Sequence, residues 1–428
     1  MSQMPQARFD GIPLPELPVV ADMHMAIGNR LIELKAEKAA GKPIVWSSII
    51  IPKEILYAMD VSVTFQEILG AWISIMRMSG PYCQIAEEKG VSRDVCAIHR
   101  CFLGCALADE RDEFFEAMFV EPDLVIGSTY ACMSVSKSFQ LIADRFRCPH
   151  HVVDTPINTW GRGLPEHAIA YYTAQMRELI AFLEGHGFKM DWDKLREEVR
   201  FSKDLNLLLQ EIERYKSAVP SPINSYDSFV SLTAPIALPK AMRTRELFIR
   251  LRDELKERVE RGFGVLEHER LRLMWVGIPP VCDLSLLNYC EQRGVVVAKN
   301  MLEYMVGFPL DPALLDPDHP LESISRAMLI NPVNPTYQMS IEYILDMAKK
   351  YRVDGAISVV KRTCGLVPGM QKLVKDALLR EGIPSVTFDL DGVDEREFNA
   401  GAAQATLDAF VDTLLARKTG AAPQKEVR

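Results

Sequence analysis

The chain has 428 residues, 48% of them hydrophobic and 25% charged, which supplies apolar material for about two packed cores and leaves too much of it for long disorder. Its formal charge of -9 argues against nucleic acid as a partner, because that affinity is built on Lys and Arg neutralising phosphates. The N-terminus lacks a charged start followed by an apolar run, and no stretch of about 18 apolar residues follows, so no membrane span is expected and cytoplasm is the default location.

Short β-branched runs alternate with amphipathic helical stretches, the pattern of parallel sheets covered by helices, and the alternation occurs twice. The expected fold is therefore α/β, with two parallel-sheet domains and additional helices. An N-terminal helical segment, 1–43, carries a helix at 18–40 ended by Gly41-Lys42-Pro43. A first α/β domain, 44–217, begins with a strand at 44–51. Pro52 then opens a helix, as a first helical position allows. There follow a strand at 61–65, helices at 68–89 and 95–119, a strand at 124–127, a helix at 134–146 and a strand at 151–153. The charged stretch 166–215 reads as helical cover. Pro220 and Pro222 cannot both sit inside a helix, and the domain boundary is placed there. The second α/β domain, 218–417, has strands at 271–278, 295–298, 355–360 and 385–390, with helices at 286–292, 339–351, 369–380 and 402–416. Residues 418–428 read as a flexible tail.

Nine cysteines, an odd number, are too sparse for a disulfide scaffold in a chain of this length. Ligands of open α/β sheets gather at the carboxyl ends of strands, and two cysteines fall there. Cys132 follows the strand Leu124-Val-Ile-Gly-Ser, and Cys364 follows Ala356-Ile-Ser-Val-Val-Lys-Arg. Cys96, at the start of a predicted helix, completes a trio drawn from both domains. Three thiolates suit an iron-sulfur cluster or zinc, which prefer soft ligands. A rival trio is Cys96, Cys101 and Cys105, which one cluster could take only if the helix begins after Cys96; Cys101 and Cys105, four apart on one helix face, read rather as a packed small-residue surface. Cys83, Cys148, Cys282 and Cys290 read as core, and the pair His150 and His151 reads as structural. The sequence contains no G-x-x-x-x-G-K-[ST] phosphate loop, no G-x-G-x-x-G after a strand, and no H-E-x-x-H or C-x-x-C.

Several of these segments together resemble the superfamily of 2-hydroxyacyl-CoA dehydratases and ATP-dependent benzoyl-CoA reductases. They are Ile51-Pro-Lys-Glu-Ile-Leu-Tyr-Ala58, Ser92-Arg-Asp-Val-Cys96, Pro122-Asp-Leu-Val-Ile-Gly-Ser-Thr-Tyr-Ala-Cys132, Val353-Asp-Gly-Ala-Ile, Arg362-Thr-Cys364 and Gly382-Ile-Pro-Ser-Val-Thr-Phe-Asp-Leu-Asp391. The segment Val219 to Asp227 and the overall length look closer to the B-type subunit of the reductases. The resemblance implies two Rossmann-like domains with a 4Fe-4S cluster between them, held by Cys96, Cys132 and Cys364. It further implies an acyl-CoA thioester substrate, a second cluster-bearing subunit of the same superfamily, and a separate ATP-hydrolysing electron activator served by a ferredoxin-like donor. In the reductase reading an aromatic ring is reduced to a cyclic diene; in the dehydratase reading one injected electron makes a ketyl radical and water is lost without net reduction. A third reading is a non-catalytic electron carrier or scaffold. Either reaction needs a proton donor or acceptor, for which Glu67 is the candidate by position, with Ser48 or Ser47 at the end of the first strand as its partner.

Overall fold

The computed structural model describes residues 15–130, 132–231, 234, 238, 242–306, 310–331, 334–361, 363–364 and 368–420. The predicted tail therefore lies largely outside the described residues. Two four-stranded sheets organise the chain, and every strand pairing in them is parallel.

The first sheet contains β1 (Ile44–Ser47), β2 (Ser62–Phe65), β3 (Leu124–Ser128) and β4 (His150–Val153) in the order β2-β1-β3-β4. Helices separate them in sequence: α1 (Pro18–Ala39) precedes β1, and α2 (Lys53–Ala58) leads to β2. Between β2 and β3 come α3 (Gln66–Ile75), α4 (Ser79–Glu88), α5 (Ala97–Leu107) and α6 (Glu113–Met118), and α7 (Met133–Phe146) joins β3 to β4. β1 is paired on both edges and buried along its whole length, which is why Ile-Val-Trp-Ser shows no polar alternation. Trp46 meets Phe119 and Phe146 edge-on with centroids 5.4 and 5.6 Å away. Its indole N–H donates to the Val120 carbonyl at 2.9 Å.

Cover continues through α8 (Glu166–Gly185), α9 (Trp192–Lys216), α10 (Ser225–Ser231) and α11 (Met242–Glu260). The second sheet then repeats the first in topology: β5 (Leu271–Val276), β6 (Val295–Asn300), β7 (Gly355–Val360) and β8 (Ser385–Asp389) in the order β6-β5-β7-β8. Its helices are α12 (Met301–Val306), α13 (Pro320–Leu329), α14 (Tyr337–Lys350), α15 (Gln371–Arg380) and α16 (Ala400–Lys418).

The predicted strands fall on observed ones, while several helices differ. The helix expected at 68–89 is two, because Arg77 takes a left-handed φ of 55° between α3 and α4. The one expected at 95–119 ends at Leu107, where Ala108 turns extended, and restarts after Asp112, whose carboxylate accepts the Phe114 N–H at 3.0 Å. The 286–292 stretch is 3-10 in character. Pro52 lies one position earlier than expected, as the N-cap of α2. α11 and α13 have no counterpart among the sequence-based elements. In α11 charged residues surround a narrow stripe of Leu247, Phe248, Leu251 and Leu255, all buried, so the apolar period is easily overlooked.

The two halves exchange cover. Val19, Val20, Met23 and Ile27 of α1 join the core of the second sheet with Leu271, Leu273 and Ile357. Leu321, Ile324 and Met328 of α13 join the core of the first, where the Met328 carbonyl accepts the Tyr130 hydroxyl at 2.6 Å.

Glycines set the closest approaches. A Cβ added at Gly104 in α5 would stand 1.8 Å from the Tyr82 carbonyl oxygen of α4, and one added at Gly70 in α3 would stand 2.3 Å from the Ile98 oxygen of α5. Three helices thus pack at backbone contact beside the first sheet, and that contact fixes where the start of α5 points.

Candidate functional site

In each sheet the second strand in sequence lies outside the first and the third lies on its other side, so the strand order reverses between β1 and β3 and between β5 and β7. In open parallel sheets ligands gather at the carboxyl ends of the strands, beside such a reversal. The chemistry-bearing residues collect at those ends.

At the end of β1, Ser48 is fully buried and its N–H donates to the Ile126 carbonyl of β3 at 3.0 Å. Its hydroxyl stands 2.5 Å from Glu67 Oε1, and the Ile49 N–H donates to Oε2 at 3.2 Å. Glu67 lies in the first turn of α3, directly after β2. Burial pushes its carboxyl up to about 7, against the opposing pull of the hydrogen bonds from Ser48 and the backbone. The structure thus brings the two residues together as a pair at a β1/β2 edge. Neighbouring Ser47 turns its hydroxyl to the Ser48 carbonyl at 3.1 Å instead.

Cys96 is the N-cap of α5 and Cys132 the N-cap of α7. Cys364 follows β7, its N–H donating to the Lys361 carbonyl at 3.0 Å. Cys96 is buried, while Cys132 and Cys364 are half-buried. Each sits at a strand end or helix start, where backbone N–H groups favour negative charge. α5 and α7 are tied by His99 Nδ1, 2.9 Å from Ser138 Oγ. Burial, and then Lys361, drive the His99 pKa down to about 3, so the ring is neutral.

Lys361 carries no signal in the sequence that marks it as functional. It follows β7 directly with only 1% of its surface exposed, and its ammonium lies 3.5 Å from Cys96 Sγ and 3.8 Å from Asp391 Oδ1. Burial works against its charge, but the fields of Cys96, Asp391 and Cys364 outweigh it and hold the ammonium above its ordinary value. Cys96, 265 positions away in the sequence, therefore faces a buried cation at the end of β7, and Cys364 lies in the turn that follows, bonded to the Lys361 carbonyl. Asp391 in turn accepts the Thr363 hydroxyl at 2.7 Å and the Val393 and Asp394 N–H groups at 3.0 and 3.3 Å. Arg100 of α5 crosses to the same loop, 2.9 Å from Asp394 and 2.5 Å from Glu87. The only sequence signal for this network is the run Thr-Phe-Asp-Leu-Asp391, which reads equally as a strand end.

Among the described residues no three His, Cys, Asp or Glu side chains are grouped as a ready-made metal site. What the chain presents is a donor set of three cysteines: Cys96 against the Lys361 ammonium, Cys364 in the turn after it, and Cys132 at the start of α7. Soft sulfur donors with a nearby buried cation fit an anionic iron-sulfur cluster. For the rival trio, α5 does start after Cys96, as its joining Cys101 and Cys105 would require, but Cys101 faces Cys83 with the sulfurs 3.6 Å apart, both fully buried. Burial pushes Cys105, Cys282 and Cys290 up to about 12 and Cys148 to about 11, so these are packed thiols. His151 stacks on Phe182 with centroids 5.2 Å apart.

Twin parallel sheets covered by helices, with thiols and a serine-carboxyl pair near their strand ends, define an α/β protein. The family model for 2-hydroxyglutaryl-CoA dehydratase, D-component, matches residues 48–414, and the chain belongs to that family. It is 26% identical to lactoyl-CoA dehydratase subunit alpha of Anaerotignum propionicum over 91% of this chain and 94% of the relative. It is likewise 26% identical to the (R)-2-hydroxyisocaproyl-CoA dehydratase alpha subunit of Clostridioides difficile, over 89% and 92%. The B-type subunit of the benzoyl-CoA reductase of Thauera aromatica is 24% identical over 95% and 97%. Both kinds of enzyme implied by the resemblance are thus represented at near full length. Among the described residues no helix is long and apolar enough to cross a membrane.

Proposed function

We propose that this chain is the cluster-bearing subunit of an acyl-CoA enzyme acting by one-electron chemistry, and that its substrate is an aromatic acyl-CoA reduced to a cyclic dienoyl-CoA. The observation that carries the reading is the Ser48–Glu67 pair, 2.5 Å apart at the carboxyl end of β1, with a carboxyl pushed up to about 7. A proton source balanced near neutral pH is what the stepwise protonation of a reduced ring requires. Glu67 in its neutral form delivers the proton, Ser48 orients one carboxyl oxygen, and the Ile49 N–H fixes the other.

Cys96, Cys132 and Cys364 would hold a 4Fe-4S cluster, which when bound supplies single electrons and an iron position open to a substrate oxygen. The sequence contains no phosphate loop of the G-x-x-x-x-G-K-[ST] type, so ATP hydrolysis falls to a separate activator served by a ferredoxin-like donor. The relatives are named as subunits, which supports a second subunit of the same superfamily as the partner. The aromatic assignment draws on the reductase relative, aligned over 426 residues.

A second reading, dehydration of a 2-hydroxyacyl-CoA, is favoured by the family model and by the relatives at 26% identity. Glu67 would then protonate the departing hydroxyl. Product analysis separates the two. Anaerobic incubation of the purified complex with benzoyl-CoA and with 2-hydroxyacyl-CoA esters, with a low-potential donor and ATP, should yield a dienoyl-CoA from the first. An enoyl-CoA formed only from the second, without net electron use, would replace the reductase reading with the dehydratase one.

A further inference from the structure

We infer that Lys361 is a positioning residue for the cluster proposed above: its buried ammonium, seated between Cys96 and Asp391, raises the cluster's reduction potential and is held there by the second sheet. The inference rests on the cluster reading. Its ground is geometric. Lys361 follows β7, Cys96 starts α5 beside the first sheet, and the ammonium spans the two at 3.5 Å.

Asp391 fixes the ammonium from the other side at 3.8 Å, and is itself held by Thr363 and two backbone N–H groups. Removing the lysine charge therefore leaves the aspartate well partnered, and the Arg100 guanidinium remains 3.9 Å from it. A full positive charge in a dry interior, next to a ligand sulfur, stabilises whichever cluster state carries the extra electron. Because the charge comes from the half of the chain opposite Cys96, any displacement of the two sheets is felt at the cluster.

The test uses the full chain with its copurifying partner, prepared anaerobically as wild type, Lys361→Met, Lys361→Arg and Asp391→Asn. Iron and sulfide are counted, thermal unfolding is recorded, and midpoint potentials are titrated. The expected result is that Lys361→Met keeps its iron and shifts to a more negative potential. Lys361→Arg should stay near wild type, and Asp391→Asn should shift the opposite way. Loss of iron in Lys361→Met with retention in Lys361→Arg also supports the inference, since the variant that keeps the cation then keeps the cluster. Unchanged potential in a fully loaded Lys361→Met overturns it, as does equal iron loss in the Met and Arg variants. Wild type without iron overturns the cluster reading itself, and this inference with it, and is distinguished by the first measurement.

Discussion

Glu67 shows how position alone converts an ordinary side chain into a candidate acid. As a helix-start carboxyl after β2 it would stay ionised in water; enclosed beside Ser48 it rises from 4.5 to about 7. Between those values the folded protein holds a proton that the unfolded chain releases. Its contribution to stability is therefore complete below about pH 4.5 and falls as pH rises through 7. Glu67→Gln should flatten that part of the stability profile measured by chemical denaturation at successive pH values, and should lower turnover by about 100-fold or more. An unchanged profile together with unchanged turnover would remove Glu67 from the mechanism. Ser48→Ala takes away a hydrogen bond that favours the ionised form, so the alkaline limb of the rate profile, where the acid is lost, should move to higher pH. Both residues are legible because strand ends can be found from β-branched runs. Lys361 is not, because nothing in Val-Val-Lys says that the strand ends under another domain's helix.

At the scale of elements, α5 joins the two halves, and its surroundings supply two sharper tests. Arg100 is almost fully buried among Glu87, Asp391 and Asp394. Arg100→Met leaves Glu87 and Asp394 to Arg396 and Asp391 to Lys361 and Thr363, so the loss in denaturant unfolding should be that of charge-assisted hydrogen bonds, about 1.5–3 kcal/mol. A change within about 0.5 kcal/mol would mean that the network is looser than described. Gly104→Ala places a Cβ against the Tyr82 carbonyl; α4 and α5 must separate, with a loss of about 1–3 kcal/mol or more. The helices themselves are visible as apolar periods, yet their breaks are not. Arg77 adopts a left-handed conformation that only the packing of α3 and α4 requires, and the 108–112 corner is set by the Asp112 cap.

Over the whole molecule, two sheets of identical strand order place Ser48, Glu67 and Cys132 on one side and Lys361, Cys364 and Asp391 on the other, with α5 between. The repetition is readable, since each block alternates strand and helix. The exchange of cover is not: the first turns of α1 join the core of the second half while its later turns contact β1 and β2, and α13 joins the core of the first half, and no local pattern encodes a contact over such separations. The central claim is that thiols from both halves close on one cluster. Iron and acid-labile sulfide should be counted in the anaerobically purified chain and in its Cys96→Ser, Cys132→Ser and Cys364→Ser variants. The account predicts about four of each per wild-type chain and loss of most of both in all three variants; a full complement in any one of them, or none in the wild type, would contradict it.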